Sequence, residues 1–464
     1  MKKFIIFITA LVVSLSALVL QNRFFVSAQV KEDFVKGEVL VKFKATINTN
    51  NAAEIHKKVG ARVKETISGI DVVLVETGTK SVGDTVSAYA KFGGVEFAEP
   101  NFIATALTND EYYTNQWALN NTGQETCNTK RDICTTGTTD ADIDAQEAWG
   151  ISTGSAQIKI AILDSGIDQD HPDLAEKIIG NIDFSGSGSV DDFYGHGTHV
   201  AGIASALTDN STGVAGVGFN TSLLNVKVLG NSGSGSYSAI ANGIDWAVQN
   251  GAKVINMSLG SPQKSSTLEL AVNYAWENGV VVVAAAGNSN NPSRTYPAYY
   301  ENCIAVAATD NNDVRASFSS YGSWVDVAAP GVNIYSTFPN HPFYLQTEYG
   351  RSNNYDFGNG TSMSVPHVSG IAALVWANEP GLDNISVRSK IEQTSDRVSG
   401  TGTYWIWGRV NACNAVGGNC SEVVAPTPTP TSAPDACYSY CFKKVCDGVC
   451  HPAKEGGSLC PDCS

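Results

Sequence analysis

At 464 residues, 43% of them hydrophobic, the chain is long enough for more than one domain and can fill a large core. Its formal net charge of −15 argues against nucleic acid or an anionic membrane as partner, and no stretch after the N-terminal one is apolar for long enough to span a bilayer. Residues 1–105 hold 13 Lys and Arg against 10 Asp and Glu, a balance of +3, so residues 106–464 carry −18.

Met1 to about Ala28 reads as an export signal. Lys2 and Lys3 precede an apolar stretch from Phe4 to Leu20, and Val26-Ser27-Ala28 offers a small-residue cleavage site. An uncleaved anchor is the competing reading of that stretch. Residues 30–105 then give β-patterned runs at Glu38–Phe43, Asp71–Val75 and Val95–Phe97, with helix-compatible stretches at Ala52–Val59 and Val82–Phe92. That alternation suits a small α+β unit of the ferredoxin-like kind.

Residues 106–422 alternate strands and helices. The strand candidates Ile158–Leu163, Leu223–Leu229, Val254–Leu259, Val280–Ala286 and Ile304–Ala308 are near-continuous aliphatic runs, as expected of parallel strands buried on both faces. Helix candidates fall at His196–Leu207, Tyr237–Gln249, Ser266–Asn278, Thr361–Asn378 and Asn384–Thr394. The expected fold is therefore α/β, a doubly wound and mostly parallel sheet whose sites lie at the carboxyl ends of its strands.

Residues 423–436 form an extended, stiff Pro/Thr linker, with Pro426-Thr427-Pro428-Thr429-Pro430-Thr431 at its centre. It leads to a Cys-rich tail, residues 437–464, too small to build a core without cross-links. Eleven cysteines in an exported chain favour disulfides. Cys127 with Cys134, and Cys413 with Cys420, suit small closed loops. Cys437, Cys441, Cys446, Cys450, Cys460 and Cys463 suit three disulfides, with a zinc site as the alternative. Cys303, in an apolar strand pattern, reads as a buried thiol.

Three distant motifs carry the chemistry. A serine hydroxyl is a poor nucleophile at neutral pH and needs a histidine to take its proton and a buried carboxylate to orient that imidazole. Asp164 ends an apolar run in Asp164-Ser165-Gly166-Ile167, where burial demands a partner such as a histidine donor. His196 opens a helix reading His196-Gly197-Thr198-His199-Val200-Ala201-Gly202 and is the expected general base. His199 and His367 read as packed structural histidines, since no third metal ligand accompanies them. Ser362 sits in Gly360-Thr361-Ser362-Met363-Ser364-Val365-Pro366, at a sharp turn into a helix, and is the expected nucleophile. Asn288, ending Ala284-Ala285-Ala286-Gly287-Asn288, is the natural oxyanion donor together with the backbone N–H of Ser362.

The order Asp, His, Ser and the motifs themselves resemble the subtilisin-like serine proteases, in particular their thermitase-like branch. The likeness runs from about Asn109 through Val410 and takes in Val226-Lys227-Val228-Leu229, Asn256-Met257-Ser258-Leu259-Gly260, Tyr296-Pro297-Ala298-Tyr299-Tyr300 and Ala328-Ala329-Pro330-Gly331. It implies that Gly233, Ser234 and Gly235, and Ser258, Leu259 and Gly260, flank an extended substrate as edge strands, an ordinary β-augmentation. It further implies that Ala285, Ala286 and Gly287 line the pocket for the residue before the scissile bond, and that the peptide before Pro297 is cis. Structural calcium follows from the same resemblance, with Asp110, Asp173, Asn210 and the carbonyls of Leu207, Thr212 and Val214 as oxygen ligands. The chain departs from the pattern in two places. Ser185-Gly186-Ser187-Gly188-Ser189 stands where a second calcium site needs acids, and residues 119–143 look like an insertion.

Residues 29–105 resemble the family's inhibitory propeptides, with Glu99-Pro100-Asn101-Phe102-Ile103 as the last strand and a cut near Thr105–Ala106. A permanent accessory domain is the competing reading. The expected activity is that of a secreted, calcium-stabilised, self-processing endopeptidase of broad preference. It would act as a monomer on protein and peptide substrates, with its own propeptide as inhibitor and no membrane contact after signal removal. A selective processing protease, or an adhesion protein acting through the tail, are the alternatives.

Overall fold

The computed structural model describes residues 34–102, 108–127 and 134–420, and the backbone of two short paired strands at 441–442 and 445–446. The expected signal, the cut near Thr105–Ala106, the linker and the cysteine pairing of the tail lie outside the described residues. Two units divide near residue 104.

In the first unit, strand β1 (Phe34–Phe43) is followed by a helix over Thr49–Val59 and by β2 (Arg62–Ile67) and β3 (Val72–Glu76). A second helix, Val82–Tyr89, then leads to β4 (Val95–Phe102). Both helices start where a side chain replaces a missing backbone acceptor: Asn48 accepts from Asn51 N–H and Ser81 from Asp84 N–H. The sheet order β2-β3-β1-β4, antiparallel throughout, is the ferredoxin-like arrangement. Val39, Val41, Val75, Ile55, Val59 and Tyr89 form its core. The sequence pattern missed β2. All six of its residues are exposed on a sheet edge, so no apolar alternation marks it. Pro100 sits in β4, the opposite edge, where a missing N–H costs nothing.

The second unit opens with the hairpin β5 (Glu125–Cys127) and β6 (Cys134–Thr136), cross-linked by Cys127–Cys134. Seven strands follow: β7 (Lys159–Asp164), β8 (Ile178–Asp183), β9 (Ser222–Lys227), β10 (Val254–Met257), β11 (Val281–Ala285), β12 (Ile304–Thr309) and β13 (Val327–Pro330). They pair in parallel in the order β13-β12-β11-β10-β7-β9-β8. Alternate side chains feed two cores. Ile160, Ile162, Val281 and Val283 face a layer with Val200 and Ala201 from the His196–Ser205 helix and Ile371 and Leu374 from the Thr361–Asn378 helix. Ala161, Leu163, Val282 and Ala284 face the opposite layer, built by the helices Tyr237–Gln249 and Ser266–Glu277. This is the doubly wound sheet expected from the continuous apolar runs.

The chain order reverses between β7 and β10, so the crevice beyond their carboxyl ends is the switch point at which such sheets place their sites. Two strands were not legible: β8, a half-exposed edge, and the short β13. Beyond the sheet, β14 (Ile334–Phe338) and β15 (Asn354–Gly358) form a hairpin. Between them stands an unanticipated insertion, 339–353, with a short helix over Tyr344–Tyr349. Cys413 and Cys420 are bonded, Cys303 is buried outside either disulfide, and Tyr296–Pro297 is cis, each as the sequence suggested.

The β7 turn and the His196 helix touch through backbone. A Cβ on Gly197 would lie 2.1 Å from the Gly166 carbonyl and 3.1 Å from Asp164 Cβ. Gly197→Ala should therefore cost about 1–3 kcal/mol of stability, as other forced overpackings do. Urea denaturation of both chains in a Ser362→Ala background measures it; an unchanged midpoint would remove this close contact.

Candidate active site

Asp164 is the last residue of β7, fully buried. Its Oδ1 accepts from Ser165 N–H at 2.8 Å and from His196 Nδ1 at 2.7 Å. Because a carboxylate accepts, Nδ1 carries the proton and Nε2 is left with its lone pair. The imidazole is 20% exposed, enough for a reactant to reach it. Burial alone would lower the His196 pKa, but the charge and hydrogen bond of Asp164, helped by the charge of Asp192, win and raise it above the ordinary value.

The loop before His196 is held by Asp192, which the sequence reading left without a role. Its fully buried carboxylate accepts from Ser165 Oγ (2.9 Å), Gly195 N–H (2.8 Å), and Thr198 N–H (2.9 Å) and Oγ (2.8 Å). Lys227 stands opposite Asp164 in the β7–β9 register, and its buried ammonium donates to the Ser165 carbonyl. Burial lowers its pKa, and the charges of Asp192, Asp183 and Asp164 oppose that. A fully buried lysine in a strand is a signal that sequence can supply, because it requires carboxylates nearby.

Ser362 is the second residue of the Thr361–Asn378 helix, entered through Gly360 at φ 149°. Its Oγ donates to the Ser258 carbonyl at 3.1 Å, and Ser258 Oγ returns a bond to the Ser362 carbonyl at 2.8 Å. Among the described residues no hydrogen bond joins Ser362 Oγ to His196; in proteins without bound substrate such contacts are often formed only later. Asn288 Oδ1 accepts from Thr361 N–H (2.9 Å) and Oγ (3.0 Å), which turns its amide nitrogen away from Thr361. The Ser362 N–H, in the first turn, needs no acceptor within the helix. An amide N–H and a backbone N–H are thus available beside the serine.

Residues 233–235 and 258–260 come after β9 and β10, and 285–287 start on the last residue of β11, beyond the carboxyl ends of parallel strands as Asp164 is at the carboxyl end of β7. Neither 233–235 nor 258–260 belongs to a strand ladder. His199 and His367 are packed. Burial, with repulsion from His196, pushes His199 down to about 3, and burial pushes His367 down to about 4.

The expected calcium residues also converge. Asp173 Oδ1 accepts from Asn210 Nδ2 and Oδ2 from Val214 N–H, both at 2.8 Å. Asp110 accepts from Asp209 N–H (3.0 Å) and Asn210 N–H (3.1 Å). Burial, and then the charge of Asp110, push Asp173 up to about 6. No ion pair relieves either acid, and the carbonyls of Leu207, Thr212 and Val214 accept no hydrogen bond among the described residues. Gly213, at φ 59°, lets Asp173 and Tyr355 pack against its backbone, since a Cβ there would lie 2.0 Å from Asp173 Oδ2 and 2.3 Å from Tyr355 Oη. Two carboxylates and spare carbonyls are the donors that calcium takes. Asn210 turns its nitrogen, not its oxygen, to Asp173 here. The Ser185–Ser189 loop instead folds on Asp183, which accepts from Ser185 N–H and Oγ, Ser187 Oγ and Gly188 N–H.

Residues 155–411 match the family model described as the subtilase family, and residues 22–101 match the fervidolysin N-terminal prodomain. A thermophilic serine proteinase of Bacillus sp. (strain AK1) is 43% identical over 83% of this chain and 88% of its own length. Thermitase of Thermoactinomyces vulgaris is 53% identical over 59% of this chain and 93% of its own. A solved structure of a protease from Pseudoalteromonas arctica superposes with a TM-score of 0.56 at 30% identity, covering 67% of this chain and 99% of that one. These matches are peptidases, so the reading of this domain as a spacer for an adhesive tail finds no support.

In the Ser362→Ala chain, the His196 imidazole should titrate above the ordinary histidine value of about 6.5, and Asp164→Asn should move the midpoint down. NMR of the ring resonances measures both; a parent midpoint at or below the ordinary value would mean that burial outweighs Asp164.

Proposed function

The chain belongs to the subtilase family of serine endopeptidases and carries an N-terminal prodomain, and on that premise we propose that it is exported, cuts itself free of that prodomain, and then cleaves proteins with broad preference. The observation that carries this reading is the 2.7 Å bond between a buried Asp164 and His196 Nδ1 at the carboxyl end of β7, next to β10, after which Ser258 bonds to Ser362 at the start of its helix. His196 Nε2 takes the Ser362 Oγ proton as Oγ bonds to the substrate carbonyl carbon. The oxyanion so formed is held by Asn288 Nδ2 and Ser362 N–H. Its collapse breaks the C–N bond and His196 gives its proton to the leaving amine. Water then repeats the sequence on the acyl-enzyme and releases Ser362.

Residues 233–235 and 258–260 would pair with the substrate main chain, which is indifferent to side chains and supports breadth. Residues 285–287 would line the pocket before the scissile bond. No acid lies in these three segments, so nothing in them selects for basic substrates. We assign residues 1–28 to the signal, 29–105 to the propeptide, 106–422 to the enzyme, 423–436 to the linker and 437–464 to the tail. Among the described residues no helix is long and apolar enough to cross a membrane. The enzyme would act extracellularly as a monomer, with its propeptide as its intramolecular inhibitor. Calcium would be held by Asp110, Asp173, Asn210 and the carbonyls of Leu207, Thr212 and Val214, and would supply charge compensation to the two acids.

Intact mass after incubation in calcium tests the central claim. The signal-less parent should shed a fragment ending near Thr105 while Ser362→Ala stays whole; equal cleavage of both would assign the cut to another protease. Calcium added to chelator-treated Ser362→Ala chain should raise its stability, by about 2.7 kcal/mol at a hundredfold excess over Kd. Asp173→Asn should abolish that rise in a thermal melt; an equal rise in both would place the ion elsewhere.

A further inference from the structure

Outside the Asp164–His196–Ser362 site, Asp168, Asp191 and His341 bring their ligand atoms within 4.8 Å of one another. They come from three segments: the turn after β7, the loop before His196, and the 339–353 insertion. Asp168 is fully buried and accepts from Asp170 N–H at 3.2 Å and Asn340 N–H at 2.7 Å. Asp191 Oδ1 accepts from Asp192 N–H at 2.9 Å, which leaves Oδ2 facing His341. Asp170, at the rim, accepts from Asn340 Nδ2 at 2.9 Å and adds negative charge.

The histidine is the telling member. Its Nδ1 lies 3.1 Å from the Pro342 carbonyl, which can only accept, so Nδ1 carries the proton and Nε2 presents a lone pair. That Nε2 is buried, makes no hydrogen bond, and stands 3.4 Å from Asp191 Oδ2. An Nε2 facing carboxylates needs either a second proton, which makes it the ion-pair partner of Asp191, or a cation, and among the described residues no lysine or arginine pairs with Asp168 or Asp191. Two ligand atoms on a tetrahedral ion with bonds of about 2.0 Å lie about 3.3 Å apart, close to the 3.4 Å between His341 Nε2 and Asp191 Oδ2, with the Asp168 ligand atom within 4.8 Å of both.

We propose that Asp168, Asp191 and His341 bind a divalent transition-metal ion of the zinc type, completed by water and separate from the Asp110–Asp173 site. An imidazole nitrogen beside carboxylates suits such an ion, whereas calcium takes oxygen. The ion ties the insertion to the approach to His196, where Tyr344 N–H already bonds to the Phe193 carbonyl (2.9 Å) and the Tyr344 ring stacks on Tyr194 at 5.5 Å.

The test is a Co2+ titration of the full Ser362→Ala chain in excess calcium, followed by visible absorption, with Zn2+ competition by calorimetry. The expected result is one ion bound with the d–d bands of a nitrogen/oxygen site, displaced by Zn2+, and a raised melting temperature. Loss of an outer-shell partner weakens metal sites 10- to 100-fold, so His341→Ala should weaken binding by at least about 100-fold. Asp191→Asn should do likewise, and metal-free melts of the variants establish that they fold. No d–d bands, or equal affinity in parent and His341→Ala, would overturn the proposal and leave His341 as a plain ion-pair partner. Cobalt held only by cysteines of the tail would show sulfur charge-transfer bands that survive His341→Ala, and would overturn it equally.

Discussion

A carboxylate buried at the end of an interior strand is the constraint on which this site depends. Asp164 has no exposed surface, and a lone charge there is tolerable only if its surroundings supply positive charge and donors. They do so from three directions: the Ser165 N–H, the His196 ring, and the buried Lys227 across the β7–β9 ladder. The need to satisfy Asp164 therefore fixes the tautomer of His196, and with it the direction of the Nε2 lone pair. Asp192 serves the same end one step out, by binding the backbone of the loop so that the histidine cannot drift from the acid.

How much of this was legible follows from what burial does to sequence. Strands covered on both faces had to be aliphatic throughout, and β7, β9, β10, β11 and β12 were visible for that reason. Strands β2 and β8 lie at sheet edges with no buried residue, and their few apolar residues, Val63 and Ile67 in β2 and Ile178, Ile179 and Ile182 in β8, form no continuous apolar run. Helices with an apolar stripe and a side-chain cap were bounded to within a residue or two, as at Tyr237–Gln249. The insertion at 339–353 escaped because it packs through aromatic stacking and backbone bonds rather than through a periodic apolar face.

The candidate site divides along the same line. Asp164, His196, Ser362 and Asn288 could be singled out because short motifs surround them and each is of a residue type suited to the chemical task proposed for it. Asp192 and Lys227 were given no role of their own, because their work is to hold others, although a lysine inside an aliphatic strand is itself a mark of the second. A supporting carboxylate is recognised by the N–H groups it gathers, and these come from positions that only the folded loop brings together. His341 is the extreme case, lying more than 140 positions from Asp191 in the chain and meeting it only through the insertion.

The disposition of Ser362 follows from how its helix is pinned. Asn288 takes the Thr361 N–H and hydroxyl, and Ser258 exchanges bonds with Ser362 through both its own hydroxyl and its carbonyl. Ser258 is fixed in turn by Asn256, which accepts from Ser369 one face further along the same helix. The backbone around Ser362 is thus tied to the ends of β10 and β11 before any substrate arrives. What remains is the serine χ1, a rotation between staggered wells. On the proposed mechanism, turning the hydroxyl away from the Ser258 carbonyl towards His196 would leave in place the groups proposed to bind the oxyanion, because those belong to the pinned backbone and to an amide already anchored by its oxygen. On that proposal stability and readiness for reaction draw on the same hydrogen bonds, and a side-chain torsion is what would bring the serine to its base.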